Sequence, residues 1–309
     1  IRSTFLDREE RRLVVAAWAT CLTIGSVLGP IIGGVLLTFF SWHAIFLISI
    51  PFFIPVIFFI HNFITESQEK LTGRVDFFSI GMSFIAMFGI MFGLKQVATG
   101  GEWELSLLSI GIGAIFAVLF VKRQLVLPNP LLDMSLFRNK SFSSLVFINM
   151  VSLGSLIGFI FFATQLLQIS HRISPLISSF ILVPGEIVAI ISGIGIVVIA
   201  QKVKPNFIIS GSLILIAISF LAVYSLTLTP LIIGLSFLFI SSGVGIITTV
   251  SNDLIISSVI PEKAGGASSV SETAYEVGVV LGTTLIGGAI TWWYRQSFLL
   301  PDYLQAKIS

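Results

Sequence analysis

Charged residues are scarce in this sequence, because Asp, Glu, Lys and Arg together make up only 10% of its 309 residues. A soluble domain of ordinary composition carries about 25% charged residues, so this composition excludes a typical water-soluble protein. Hydrophobic residues make up 55% of the chain, and its mean hydropathy is +1.04. Such a composition predicts an all-α polytopic membrane protein, whose helices cross the lipid bilayer and pack on one another.

Cysteine is nearly absent, and the single Cys21 excludes an internal disulfide or a cysteine metal cluster. The three histidines have no partner at a spacing typical of metal ligands. The sequence also lacks a glycine-rich phosphate loop, a nucleophile elbow and a His-Glu-x-x-His pair. We therefore expect no enzymatic activity, no metal and no cofactor, and the scattered basic residues predict no binding of nucleic acid.

Nine apolar stretches are present, and each approaches or exceeds the roughly 20 residues that a bilayer crossing requires. Connections rich in Lys and Arg alternate with connections that have few, and the positive-inside rule then places the amino terminus in the cytoplasm. Asp76 stands just before the third stretch and is expected to cap that helix. The predicted spans are 14–40, 44–63, 77–97, 105–121, 142–167, 175–200, 207–226, 231–256 and 265–293.

Two acids lie within the last predicted span, where lipid would surround an outward-facing side chain. Glu272 and Glu276 are four residues apart, so they share one face of a helix. A carboxylate at the centre of a bilayer costs roughly 2.5–3.5 kcal/mol on insertion scales. This face must therefore adjoin other protein or a water-filled cavity, and its polar character is extended by Ser268, Ser269, Thr273 and Thr283.

Two more acids lie inside or near the end of predicted spans. Glu186 follows Pro184-Gly185 near the middle of span 175–200, where a break in the helix could create a ligand position. A satisfied polar contact between helices is the alternative for this residue. Asp253 follows Asn252 near the cytoplasmic end of its span, where it has either a functional role or the role of an interfacial anchor.

Small residues recur along the first span at helical spacing. Gly25, Gly29 and Gly33 are each four apart and form a flat seam for close helix packing, and Pro30 bends the same helix. The string from Gly25 to Gly34 resembles the antiporter motif in the fifth helix of drug:proton exporters of the major facilitator superfamily. Three further stretches are similar to parts of that family, namely the external turn 41–51, the linker 128–142 and the acidic helix that contains Glu272 and Glu276.

This resemblance covers nearly the whole chain and implies helices five to thirteen of a fourteen-helix transporter. It implies that residues 1–64 end the amino-terminal bundle, that 65–141 hold two extra helices and a linker, and that 142–309 form the carboxy-terminal bundle. The linker 122–141 could lie on the membrane surface as a tether or could be a plain connection. We expect a monomer in the plasma membrane of a bacterium.

The resemblance implies a secondary exporter of lipophilic cationic drugs or antiseptics in exchange for protons. An apolar cavity favours the protonated form of a carboxylic acid, and a lipophilic cation favours its ionised form, so the two compete for the same charge. Glu272 and Glu276 are the first candidates for this exchange, followed by Glu186 and Asp253. Aromatic faces attract cations, so the candidate drug contacts are Phe161, Phe162, Tyr224 and Tyr275, with core packing as the alternative for each.

Two other functions remain compatible with the sequence. The first is a proton-coupled transporter of an endogenous metabolite or lipid with the same fold. The second, from another class, is a polytopic membrane sensor or assembly protein that transports nothing. Neutralisation of the acids would abolish function in a proton-coupled transporter, and it would leave the sensor or assembly protein intact.

Overall fold

The computed structural model describes residues 24–25, 27–63, 76–128, 130–259 and 264–297. Within these ranges every regular element is a helix, and the predicted all-α fold class is confirmed. A 3-10 helix spans Met134–Arg138, and a π-helical turn spans Leu166–Ser170 at the end of α6. The α-helices are α1 Val27–Phe39, α2 His43–Leu47, α3 Ser49–Phe63, α4 Phe77–Ala98, α5 Trp103–Val126, α6 Lys140–Gln165, α7 Pro175–Ala200, α8 Pro205–Ser225, α9 Pro230–Ser257 and α10 Ala264–Ser297.

Eight candidate membrane spans of sufficient length and hydropathy occur in the described ranges, and they match the second to ninth predicted spans. The first predicted span, 14–40, falls partly outside the described residues, and α1 is the described apolar helix within it. Proline begins α7, α8 and α9, at the first helical position, where its missing N–H group leaves no hydrogen bond unmade.

The residues group into two compact units, and each is described by itself. Unit 1 comprises the described parts of Ile1–Lys70, Thr164–Gly195 and Ile214–Gly245. Unit 2 comprises those of Leu71–Ala163, Ile196–Leu213 and Ile246–Ser309. The division by sequence into 1–64, 65–141 and 142–309 follows the bundles of the family and remains a prediction.

In unit 2, α4 and α5 form an antiparallel hairpin whose backbones approach closely at glycines. A Cβ atom added at Gly93 would lie 2.7 Å from the carbonyl oxygen of Ser106, and one at Gly113 would lie 2.6 Å from the backbone nitrogen of Ile90. Lipid removes most of the hydrophobic driving force between helices, so close van der Waals contact of this kind holds such pairs together. Gly100, in the connecting turn, has a φ of 68°, which glycine adopts without strain.

The other end of this hairpin is held by Asp76, which caps α4 as expected. Its carboxylate accepts a hydrogen bond from the backbone N–H of Ser79 and forms an ion pair of 3.0 Å with Arg123 on α5. The hydrogen bonds from Ser79, with a smaller contribution from Arg123, hold the pKa of Asp76 below its usual value. Gln124, the next residue on α5, attaches the linker to this helix. Its Oε1 accepts a hydrogen bond of 2.7 Å from the N–H of Leu131.

Helices α6 and α10 run parallel in unit 2 and touch through glycines. An added Cβ at Gly278 would overlap the carbonyl oxygen of Met150, and one at Gly282 would overlap the carbonyl oxygen of Gly154. These parallel helices and the antiparallel hairpin agree with the alternation of the predicted spans. Around the amino-terminal part of the α6–α10 contact lies a buried apolar cluster whose least exposed members are Phe142, Ile255, Ala267 and Val270.

Candidate functional site

A cluster of uncharged polar side chains joins three helices in unit 2. Asn149 on α6 is fully buried, and its Nδ2 donates a hydrogen bond of 3.2 Å to the hydroxyl of Tyr275 on α10. Ser271, one turn before Tyr275, donates a bond of 3.1 Å from its hydroxyl to Oδ1 of Asn252 on α9. Asn149 Nδ2 also lies 3.5 Å from the same Oδ1. We call these four residues the amide–tyrosine cluster.

The amide–tyrosine cluster exists because apolar helices offer polar groups few alternatives to one another. Its members come from three helices, and each satisfies part of another member's hydrogen-bonding capacity. Within the described residues, the buried Oδ1 of Asn149 accepts no hydrogen bond. An unsatisfied buried acceptor costs about 1–3 kcal/mol, so a further hydrogen bond to this oxygen would be favourable.

Glu272 and Glu276 lie on the face of α10 beside the amide–tyrosine cluster, and both are exposed. Residues 271 and 275 point toward α6 and α9, and each acid follows one of them by a single position, which is a rotation of about 100° around the helix. The described residues do not enclose either carboxylate. The sequence therefore identified their common face, and their role in coupling remains a proposal.

Three of the four hydroxyl residues in the predicted polar stripe donate hydrogen bonds to backbone carbonyls within α10. The hydroxyl of Thr273 donates to the carbonyl oxygen of Ser269 at 2.8 Å, and the hydroxyl of Thr283 donates to that of Val279 at 3.0 Å. Ser269 donates in the same way to Gly265. These side chains can face an apolar environment at little cost. Within the predicted polar stripe, the two glutamates are therefore the groups whose exposure to lipid would be costly.

Glu186 lies in unit 1 on α7, directly after Pro184 and Gly185, and is half-buried. Gly185 is pressed against the ring of Phe237 on α9, where an added Cβ would overlap the aromatic carbons. Seven residues after Gly185 along α7, the hydroxyl of Ser192 donates a bond of 3.2 Å to the backbone carbonyl of Ser242. The helix that carries Glu186 is therefore held tightly to α9 on both sides of the acid.

The antiporter motif of α1 also lies in unit 1, and two of its five residues contact α7. An added Cβ at Gly34 would lie 2.8 Å from Cα of Leu176, and the hydroxyl of Ser179 donates a bond of 2.8 Å to the carbonyl of Pro30. The remaining motif glycines face open space in the described structure, where an added Cβ would meet no atom within 4 Å; they are Gly25, Gly29 and Gly33.

The candidate drug contacts occupy different environments. Tyr275 belongs to the amide–tyrosine cluster, whereas Tyr224 is 90% exposed near the end of α8. Phe161 packs against Gly287 of α10, and Phe162 forms a tilted ring contact with the buried Phe159 at 6.1 Å. Tyr224 belongs to unit 1 and the other three residues to unit 2, and the contact of all four with a drug remains a prediction.

Asp253 is exposed near the carboxy-terminal end of α9, next to Asn252 of the amide–tyrosine cluster. Asp253 is among the residues predicted from the sequence, whereas Asn252 and Asn149 are not. An asparagine within an otherwise apolar span is nevertheless a signal of polar contact between helices, and that signal indicates Asn149.

Comparison with known proteins points to a single family. The family model described as the Major Facilitator Superfamily matches residues 1–283. The chain is 39% identical to the multidrug efflux pump LfrA of Mycolicibacterium smegmatis, over 97% of this chain and 60% of the relative. It is 28% identical to the methyl viologen resistance protein SmvA of Salmonella typhimurium, over 99% of this chain and 63% of the relative.

A further relative is the tetracenomycin C resistance and export protein of Streptomyces glaucescens. It is 26% identical over 279 residues, which are 89% of this chain and 52% of the relative. The chain thus spans about three fifths of the length of the first two relatives and about half of the third. The names of all three relatives describe efflux, resistance or export.

Proposed function

The chain belongs to the Major Facilitator Superfamily, and on that premise we propose that it forms the greater part of an exporter of lipophilic cationic drugs driven by protons. It is a multi-pass protein of the bacterial plasma membrane. Relatives named for multidrug efflux and for resistance to methyl viologen, an organic dication, support drug export and a cationic substrate. This activity is proposed for a whole transporter, because the relatives are longer than this chain. The proposed role is transport and not catalysis.

The observation that carries this proposal is the two-sided character of α10. One face is fixed to α6 and α9 by glycine contacts and by the amide–tyrosine cluster. The adjacent face presents the exposed carboxylates of Glu272 and Glu276. Carboxylates on a helix that is held this firmly can meet a substrate at a defined position, which a coupling site requires.

Competition between a proton and a cation supplies the mechanism. Each carboxylate binds a proton when its surroundings are apolar, and it gives up that proton when a cationic drug approaches, because the ionised form attracts the cation. Drug release toward the outside follows when external protons reclaim the carboxylates. Two acids one turn apart offer a cationic drug two carboxylates on one face of α10.

The other acids and the α1–α7 contact have supporting roles in this proposal. Glu186 is the third candidate for proton exchange, since it lies beside a proline in the middle of a span. Asp253 is the fourth, near the cytoplasmic end of α9. The close approach of Gly34 to α7 favours a tight helix contact that limits leak when the cavity is closed to the outside.

The test is efflux of ethidium by the full-length protein with Glu272→Gln, Glu276→Gln and both together. Each single variant should lose proton-coupled efflux in part and the double variant should lose it almost completely. Glu104→Gln is the matched control, because Glu104 is exposed in the first turn of α5 and has no proposed role. Efflux at the wild-type level in the double variant, with its pH dependence intact, would remove these acids from the mechanism.

A second measurement separates drug export from the alternatives. Purified full-length protein at weak buffering should release protons when a lipophilic cation is added, and should release none when sugars or amino acids are added. Proton release triggered by a metabolite alone would favour an endogenous substrate. The absence of any solute gradient in proteoliposomes would favour a sensor or an assembly protein.

A further inference from the structure

Three cavities of unit 2 each contain a cationic side chain, and in two of them every other lining residue is apolar or basic. The largest, about 640 Å³, is lined by Val121 and Leu125 of α5 and by Met134, Phe137 and Arg138 of the 3-10 helix. A second, about 480 Å³, contains Lys122, and a third, about 370 Å³, contains Lys140. No acidic side chain lines any of these three cavities in the described structure.

The largest cavity, which we call the linker cavity, has no internal partner for its cation. Arg138 is exposed and forms no ion pair with any residue that the structure describes, whereas Arg123 on α5 is paired with Asp76. The walls of the linker cavity expose apolar surface, since Leu125 is 60% exposed and Phe137 is 41% exposed. Its remaining lining is almost entirely apolar.

The predicted spans place the linker cavity where a lipid headgroup would meet an acyl chain. Val121 ends the predicted span 105–121, and the 3-10 helix follows in the basic connection that the positive-inside rule assigns to the cytoplasm. Gln124 anchors this connection to α5 through the N–H groups of Leu131 and Leu132, so the cavity wall is held in place.

We propose that the linker cavity binds an anionic phospholipid, whose phosphate pairs with Arg138 and whose acyl chain lies against Val121, Leu125 and Phe137. Charge complementarity selects the headgroup, because basic pockets on the cytoplasmic side of membrane proteins attract anionic lipids. An arginine guanidinium also matches the geometry of a phosphate with two parallel hydrogen bonds. The apolar walls select a ligand with a hydrocarbon chain over a free anion.

Lipid binding to purified full-length protein tests this site, with native mass spectrometry as the readout. Dioleoyl phosphatidylglycerol should bind in preference to dioleoyl phosphatidylcholine. Arg138→Gln should weaken phosphatidylglycerol binding about five-fold, which corresponds to about 1 kcal/mol for one basic residue near an anionic surface. Arg138→Lys keeps the charge but loses the paired hydrogen bonds to phosphate, so its binding should fall between that of the wild type and that of Arg138→Gln. Val121→Trp should reduce binding of both lipids, because the indole fills the space for the acyl chain.

The matched control is Lys202→Gln, which removes an exposed basic residue that lines none of the three cavities. Its phosphatidylglycerol binding should equal that of the wild type. Equal losses in Arg138→Gln and Lys202→Gln would overturn the proposal in favour of diffuse attraction by net charge. Unchanged binding in Val121→Trp, or competition by inorganic phosphate as effective as that by phosphatidylglycerol, would also overturn it. These readouts require no transport, so they stand apart from the test of drug export.

Discussion

Asn149 and Tyr275 are 126 positions apart, and a hydrogen bond of 3.2 Å from the amide Nδ2 to the tyrosine hydroxyl joins α6 to α10. The bond lies in the same helix pair as the glycine contact between residues 154 and 282. The glycines set how near the helices come, and the hydrogen bond resists rotation of α10 about its own axis. Rotation matters because it decides where Glu272 and Glu276 point.

Removal of the tyrosine hydroxyl should loosen this attachment. Tyr275→Phe is expected to lower the free energy of unfolding by about 0.5–1.5 kcal/mol, the net value of one hydrogen bond. It should also reduce drug efflux, because the acidic face of α10 becomes less well oriented. Thermal unfolding in detergent and ethidium efflux measure the two effects.

The control for the unfolding measurement is Tyr224→Phe, since Tyr224 is 90% exposed and the loss of its hydroxyl should leave the melting temperature unchanged. A double-mutant cycle with Asn149→Ala isolates the pair. Additive losses in that cycle would show that the two side chains do not interact in the membrane protein, contrary to the structure.

Close packing at Gly282 should make even one added methyl group costly. Gly282→Ala places a Cβ against the carbonyl oxygen of Gly154, and overpacking of this kind typically costs about 1–3 kcal/mol. Gly211→Ala on α8 is the matched substitution, because an added Cβ there meets no atom within 4 Å. Alanine has the higher helix propensity, so Gly211→Ala should be neutral or slightly stabilising. Equal melting temperatures of the two variants would contradict the glycine contact.

The antiporter motif should respond to substitution most sharply at the position that touches α7. An added Cβ at Gly34 lies 2.8 Å from Cα of Leu176, so Gly34→Ala should separate α1 from α7 and raise passive proton leak in proteoliposomes. Gly195→Ala, at a helical glycine with open space around it, should leave the leak unchanged. Ser179→Ala should have a smaller effect than Gly34→Ala, because it removes one hydrogen bond to Pro30 without a steric clash. A leak that is unaffected by Gly34→Ala would exclude this contact as a seal.

Acid should weaken the contribution of Asp76 to stability. Hydrogen bonds from Ser79 and the nearby Arg123 lower its pKa in the folded protein, so the ionised carboxylate stabilises the fold above the unfolded-state value of about 3.9. This contribution is lost as the pH falls through the lower folded-state pKa. Asp76→Asn should therefore melt below the wild type at pH 7, and the difference should shrink below about pH 4. Glu104→Gln should show no comparable trend, and a difference that persists in acid would refute the assignment.

Proton exchange at Glu186 can be separated from that at the acids of α10. Glu186→Gln should reduce efflux without affecting the melting temperature strongly, since the packing of α7 on α9 depends on Gly185 and Ser192 and not on the carboxylate. Stopped-flow proton release on drug addition is the discriminating measurement. An unchanged amount of released proton in Glu186→Gln would remove this residue from the coupling group and leave Glu272 and Glu276 in it.

The membrane class, the helical fold and eight of the nine spans followed from the sequence, and the described structure confirms them. The cap at Asp76 and the common face of Glu272 and Glu276 followed as well. All of these depend on hydropathy, on helical periodicity or on residues a few positions apart. Such properties act over one or two helical turns, so a single stretch of sequence specifies them.

Tertiary structure alone decided which helices are neighbours and therefore which polar groups meet. The partners of Asn149, the ion pair between Asp76 and Arg123, and the contact of Gly34 rather than Gly29 with α7 all join distant parts of the chain. A helix presents several faces of similar hydropathy to its surroundings, and only the packing of backbones at glycines selects the face that is buried. The spacing of residues along one helix does not predict which face is buried, because the contacting residues lie on different helices.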